Sequence, residues 1–272
     1  MIISTCRASK SKSFSSTTAC RTASTFSTPL TRSASFRRWE EVSAVLSKVR
    51  RVTFPAAGNG PPLEAVLHLP KRPAPSPAAV VCHPHPLMGG DMHNRVVVAV
   101  CRELVAHGWL ALRFNFRGVG RSDGSFDEGR GEMEDVSGAI DFLITQPQAD
   151  SSQLAVIGYS FGAGVGLRHA ARDPRVNGLI GIALTQRHYA DPFLDQEPRP
   201  KLFIVGERDE WAPPDALRRY VARLHPPHTV HVIPHTDHFF ARRESKVAQR
   251  IVEFLLNSAG EHAPQERAVA QC

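Results

Sequence analysis

The stretch Leu154-Ala-Val-Ile-Gly-Tyr-Ser-Phe-Gly-Ala-Gly164 constrains this chain more than any other. An apolar run suited to a buried strand, Leu154 to Ile157, passes into a turn crowded with glycine, and a helical pattern follows to about Ala171. At its centre lies Gly158-Tyr159-Ser160-Phe161-Gly162. A serine on so tight a strand-to-helix turn takes a strained backbone conformation, and its neighbours two residues away on either side must lack bulk. Such a turn lifts the hydroxyl clear of the sheet edge and aims the first amides of the helix at negative charge developing beside it. As a bare string the pattern is weak; its setting between strand and helix makes Ser160 the candidate nucleophile.

The rest of the pattern extends this local reading to a fold. Val49–Phe54 and Leu63–Leu69 read as a hairpin around a turn rich in Gly, Asn and Pro. Further strands are expected at Ala78–Cys82, Trp109–Phe114, Val176–Leu184, Leu202–Val205 and Thr229–Ile233. Helices are expected at Val96–His107, Glu132–Thr145, Pro213–Leu224 and Arg242–Leu256. Strands alternating with helices imply an α/β fold, a mostly parallel, doubly wound sheet with helices on both faces and ligands beyond the carboxyl ends of its strands. The connection Thr185–Lys201 holds 17 residues, three of them proline, which leaves room for one short helix near Tyr189–Leu194 but not for a large cap domain. The serine is therefore expected in an open cleft walled by Leu87–Met88, Tyr159 and Phe239–Phe240.

Charge narrows the partners. The net charge of +7 suggests nucleic acid, but residues 1–51 carry ten Lys/Arg against two acids, and the remainder holds 23 basic and 24 acidic residues. The folded part is near neutral, so no nucleic-acid partner is expected. Residues 1–38 contain no Asp or Glu, are crowded with Ser and Thr, and scatter seven Arg/Lys. That is the composition of an organelle transit peptide, so the leader 1–48 is read as a disordered basic segment directing import into a mitochondrion or plastid; if it is only a tail, the location is cytoplasmic. A single folded domain over 49–258 and a flexible tail over 259–272 complete the division. No stretch approaches the roughly 18 unbroken apolar residues of a membrane span. The five cysteines include no Cys-x-x-Cys pair, and their odd number and spacing point to a reducing compartment rather than a disulfide framework. Oligomeric state leaves no mark in the sequence.

Two later strand ends carry what a serine nucleophile needs. Gly206-Glu207-Arg208-Asp209-Glu210 follows one, and Pro234-His235-Thr236-Asp237-His238 follows the other. A serine hydroxyl attacks well only when a base takes its proton, and an imidazole can do so at neutral pH. A carboxylate on the other ring nitrogen fixes the tautomer and stabilises the imidazolium. The chain order Ser160, Asp209, His238 suits successive strand ends of this architecture. Glu207 and Glu210 compete with Asp209 for the acid, and His235 is the reserve base. Asp237 adjoins His238 in sequence and is badly aimed at its ring, so it is read as a loop organiser.

In His83-Pro84-His85-Pro86-Leu87-Met88-Gly89-Gly90, Arg113-Phe-Asn115-Phe-Arg117-Gly118-Val-Gly120-Arg-Ser122, Gly158-Tyr-Ser160-Phe-Gly162 and Asp237-His238-Phe-Phe, the chain resembles the α/β-hydrolase superfamily. Within it, the likeness is to a lidless group of predicted hydrolases akin to dienelactone-hydrolase-like and Xaa-Pro-peptidase-like enzymes, over about Val49 to Leu256. The resemblance implies a triad of Ser160, Asp209 and His238, and a structural role for the 113–122 loop in which Asn115 and Arg117 brace the site. One oxyanion donor is the amide of Phe161. The other must come from the loop after Ala78–Cys82, where Pro84 and Pro86 lack an N–H, so His85 leads and Leu87 follows. The side chains of His83 and His85 order that loop.

Two other motifs suggest rival chemistries. His83-x-His85 with Asp91 and His93 faintly suggests a metal site, and the arginines and glycines of 113–122 suggest phosphate. No second ligand cluster follows the first, so no metal and no cofactor are expected. The implied activity is cleavage of a small-molecule acyl ester or thioester by way of an acyl-enzyme. A peptidase-like amide hydrolase and a ligand-binding member without activity are the alternatives.

Overall fold

Apolar runs long enough to be buried on both sides become the central strands of one sheet. The computed structural model describes residues 48–71 and 75–261. The basic leader up to residue 47 and the tail beyond residue 261 lie outside the described residues. Strands β1 (Lys48–Pro55), β2 (Pro62–Leu69), β3 (Ser76–Cys82), β4 (Leu110–Phe114), β5 (Ala149–Tyr159), β6 (Gly178–Ile182), β7 (Lys201–Gly206) and β8 (His228–Ile233) form an eight-stranded sheet in the order β1-β2-β4-β3-β5-β6-β7-β8. β2 runs antiparallel to β1 and β4, and every other pairing is parallel.

Among the described residues, five α-helices cover it: α1 (Arg95–Ala106), α2 (Arg130–Ile144), α3 (Phe161–Ala170), α4 (Pro214–Val221) and α5 (Glu244–Glu261). Side chains alternate across each strand, and both faces are buried. Ala78, Val80 and Cys82 of β3 join the core beneath α2, α3 and α4, while Ala79 and Val81 join the core beneath α1 and α5. Each fully buried Val, Leu, Ile or Phe contributes about 1.5–3 kcal/mol relative to exposure, and burial on both faces is why the strands read as unbroken apolar runs.

The order reverses at β3: β4 lies on one side of it and β5 on the other. A crevice opens at such a switch point beyond the strand ends. Cys82 pairs with Gly158, and Tyr159 with Ile182, so the ends of β3, β5 and β6 are level and their loops share one rim.

Every expected strand and helix is present, with bounds that shift by a residue or more, and three of the shifts have a plain cause. β5 begins at Ala149, because the polar, largely exposed Asp150–Gln153 is extended backbone that carries no apolar signal. β6 stops at Ile182, where Ala183 takes a positive φ of 48°. α5 starts at Glu244 rather than Arg242, because Arg242 itself sits at φ 62°, outside the helical region. Between β6 and β7 the chain makes only two single-turn 3₁₀ segments, Gln186–His188 and Pro192–Leu194. The second falls where one short helix was expected, and there is no cap.

Candidate active site

The serine turn has the strain its sequence requires. Ser160 sits at φ 54°, ψ −112°, a conformation costly for any residue with a β-carbon. A β-carbon on Gly158 would collide with the Gly162 carbonyl, and one on Gly162 would lie 2.5 Å from the His83 carbonyl oxygen. Both glycines are thus set by close backbone approach. The Ser160 amide donates to the Ile182 carbonyl at 2.8 Å, which ties the turn to β6.

The neighbouring strand ends complete a line of hydrogen bonds. Ser160 Oγ lies 2.9 Å from His238 Nε2, and His238 Nδ1 lies 2.8 Å from Asp209 Oδ2. All three residues are buried, with Asp209 3% exposed and His238 5% exposed. Asp209 Oδ1 also accepts from the amides of Trp211 and Ala212, at 3.0 and 2.8 Å. Those bonds hold the carboxylate in one orientation.

The competing residues lie on the same loops but face elsewhere. Glu207 Oε2 accepts from the His235 amide at 2.8 Å and lies 3.4 Å from its Nδ1, and both side chains are exposed. Glu210 is exposed as well. Asp237 Oδ1 accepts from the Phe239 amide at 3.0 Å, an Asx turn that shapes the loop.

His83 is fully buried. The Phe116 amide can only donate, so His83 Nε2 accepts it at 3.1 Å, and the proton on Nδ1 goes to the Pro84 carbonyl at 2.7 Å. Burial pushes its pKa down to about 4, so the ring is neutral and joins the loops after β3 and β4. With both ring nitrogens engaged, it has none left for a metal. Among the described residues there is no group of three or more His, Cys, Asp or Glu able to hold one.

Asn115 accepts from the Met92 amide (2.8 Å) and donates to Glu64 (3.0 Å), joining the β3 and β4 loops to β2. Arg117 binds Asp135 of α2 through its backbone amide, Nε and one terminal nitrogen, and also reaches Glu134. It braces the loop against α2, and these bonds reach none of Ser160, Asp209 or His238. Arg113 donates to His68 and to the Met92 carbonyl. The arginines at 113 and 117 are therefore bound by the protein's own groups rather than offered to a phosphate.

The His85 ring lies 4.9 Å from that of Phe161, so residues 85 and 161 adjoin. The Leu87 amide donates to His85 Nδ1 at 3.2 Å, which occupies the second-choice loop donor.

Two expected cleft walls are corrected. Tyr159 is 3% exposed and Phe240 is fully buried. Strand alternation turns Tyr159 into the core beneath α1 and α5, where its hydroxyl donates to the His238 carbonyl at 2.7 Å. Three residues escaped the sequence reading. Trp211 packs its ring edge-on to His238 at 4.6 Å and stays 44% exposed. Gly206 lets the Thr236–Asp237 backbone come so close to β7 that a β-carbon there would collide with it. Arg187 stands over the Phe161 ring, 6.0 Å from its centre. A glycine at a strand end signals close approach in sequence; nothing in the pattern marks Trp211 or Arg187.

The exposed rim is apolar: Leu87 (73%), Met88 (68%), Phe239 (60%) and Trp211. No helix among the described residues is long and apolar enough to cross a membrane.

Comparison with known proteins agrees with this arrangement. The family model described as serine aminopeptidase, S33, matches residues 75–199, and one described as PhoPQ-activated pathogenicity-related protein matches residues 167–270. An uncharacterised protein of Rickettsia prowazekii is 35% identical over 190 residues, 66% of this chain and 79% of its own. A thiohydrolase of Arthrinium phaeospermum is 41% identical over 80 residues, 28% of this chain and 26% of its own. A solved α/β serine hydrolase without a lid, from Xanthomonas campestris, is 34% identical with a TM-score of 0.68, covering 80% of this chain and 96% of that one. Strand order, serine turn, uncapped sheet end and a likeness of that extent lead to one family: the chain belongs to the lidless α/β serine hydrolases.

Proposed function

We propose that this hydrolase cleaves small acyl esters or thioesters through an acyl-enzyme on Ser160. The observation that carries the reading is the line Asp209–His238–Ser160, closed at 2.8 and 2.9 Å on a serine of positive φ. Ser160 Oγ attacks the acyl carbon as His238 Nε2 takes its proton. The amides of Phe161 and His85 stabilise the oxyanion, and losing one such donor typically costs about 3 kcal/mol. The Nε2 proton then passes to the leaving alcohol or thiol. Water, deprotonated by the same nitrogen, attacks the acyl-enzyme, releases the acid and restores Ser160. Asp209 accepts the Nδ1 proton's hydrogen bond throughout, keeps Nε2 free to act as base, and stabilises the imidazolium.

Several features favour a small substrate. The connection between β6 and β7 builds no cap over the serine that could enclose a long acyl chain. The thiohydrolase likeness supports thioesters beside esters. The aminopeptidase match favours a second reading, in which an amide is the natural bond.

The test is turnover of p-nitrophenyl butyrate, a butyryl thioester and an aminoacyl p-nitroanilide by the purified protein and by Ser160→Ala. Rapid hydrolysis of the first two with an initial burst, absent in Ser160→Ala, is expected. Turnover of the anilide alone would replace this reading with the amide one.

A further inference from the structure

The 3₁₀ turn Gln186–His188 passes along the mouth of the site. The Gln186 amide donates to the Trp211 carbonyl at 2.9 Å, and Trp211 packs on His238. One residue further on, Arg187 stands over Phe161, whose ring also meets His85. An arginine on this turn therefore borders the serine loop beside the Phe161 ring.

Its orientation is built into the fold. Arg187 Nε donates to His188 Nε2 at 3.1 Å. Burial, reinforced by Arg187 and Arg168, holds His188 down to about 4, so its imidazole is neutral and can accept. The His188 ring in turn lies against Gly164 of α3, where a β-carbon would collide with it. Helix, ring and guanidinium thus form a stacked support, the arrangement that holds a recognition group in place.

Its charge has no partner. Arg117, Arg168, Arg175 and Arg199 each pair with a carboxylate, whereas no carboxylate among the described residues lies within salt-bridge distance of Arg187. Glu132, which acts on the neighbouring His85 ring, is buried and spent on the amides of Asp127 and Gly129. At the His85 ring, burial first and Arg187 next hold the pKa below its ordinary value, and Glu132 opposes them less strongly. The Thr185 hydroxyl, which opens the same turn, is buried without a hydrogen-bond partner among the described residues.

We propose that Arg187 selects acyl groups ending in a carboxylate, so that the preferred substrates are monoesters or monothioesters of short dicarboxylic acids. The proposal rests on Ser160 acting as nucleophile. In the tetrahedral intermediate the oxyanion faces the Phe161 and His85 amides, and the leaving group faces His238 between Trp211 and Phe239. The acyl chain takes the remaining direction, and its far end meets the guanidinium, whose planar fork matches a carboxylate in geometry and charge.

The experiment compares kcat/KM for monoethyl glutarate with that for ethyl valerate, of matched size, in the wild type, Arg187→Gln and Arg187→Lys. Butyryl glycolate, which carries its carboxylate on the leaving group, is the third substrate. The wild type should favour monoethyl glutarate by about tenfold or more, as a charge-assisted hydrogen bond allows. The preference should shrink at high salt. The ratio should fall to near one in Arg187→Gln and be partly kept in Arg187→Lys. No preference in the wild type, a preference that survives Arg187→Gln, or equal favour for butyryl glycolate would overturn the assignment while leaving the esterase reading intact. Failure to hydrolyse even ethyl valerate and p-nitrophenyl butyrate would remove the esterase reading, and this inference with it.

Discussion

The loops after β7 and β8 hold two acid–histidine pairs, and they could hardly differ more. Asp209 and His238 are buried, meet at 2.8 Å and end on Ser160. Glu207 and His235, each within three residues of its counterpart, meet at 3.4 Å on the surface and end on solvent. In sequence the pairs are nearly interchangeable. What separates them is support. Two backbone amides fix Asp209, and the Tyr159 hydroxyl fixes the His238 backbone, while Gly206 lets the two loops close together. An ion pair that solvent screens on all sides contributes at most about 1 kcal/mol, whereas a buried, oriented pair can direct a proton.

Replacing one member of each pair breaks the comparison most sharply. His238→Ala should lower kcat on p-nitrophenyl butyrate by about four orders of magnitude or more, because nucleophile and base act as a unit. His235→Ala should stay within about twofold of wild type, as an exposed pair implies. The reverse ranking would make His235 the base. The acids should follow with a smaller effect. Asp209→Asn should cost about a thousandfold or more in kcat through loss of imidazole orientation, and Glu207→Gln should be near neutral.

Tyr159→Phe sharpens the account of support. It leaves the buried His238 carbonyl without its donor, a loss of about 1–3 kcal/mol. Thermal denaturation should show a melting temperature lower by several degrees, with kcat falling only a fewfold. An unchanged melting temperature would mean the bond does not hold the loop. The smallest effect concerns acyl length. Full burial of each methylene at about 0.8 kcal/mol would raise kcat/KM about fourfold per added carbon. With no cap between β6 and β7, the expected dependence from acetate to hexanoate, read on p-nitrophenyl esters, is much shallower, with no activation at an oil–water interface. A steep climb to palmitate would reveal an enclosed acyl tunnel.

What sequence could and could not reveal follows from the range of the forces involved. The glycines at 158 and 162 answer to backbone contacts at one turn, so the local pattern announces them. Strands buried on both faces announce themselves as apolar runs, and the sheet order brings Ser160, Asp209 and His238 beyond the ends of β5, β7 and β8. Tyr159 was misplaced as a cleft wall because its direction depends on the register of β5 against β6, a long-range property. Trp211 and Arg187 went unread for a related reason. Each owes its place to packing against a residue far away in the chain, His238 in one case and Phe161 in the other.

The central claim is that Ser160 alone carries the acyl group, activated by the buried pair and not by the exposed one. Intact-mass and peptide analysis after treatment with a fluorophosphonate tests it most directly. A single adduct should map to Ser160, form at the wild-type rate in His235→Ala, be slowed by orders of magnitude in His238→Ala and be absent in Ser160→Ala. An adduct on another residue, or full labelling of Ser160→Ala, would contradict it.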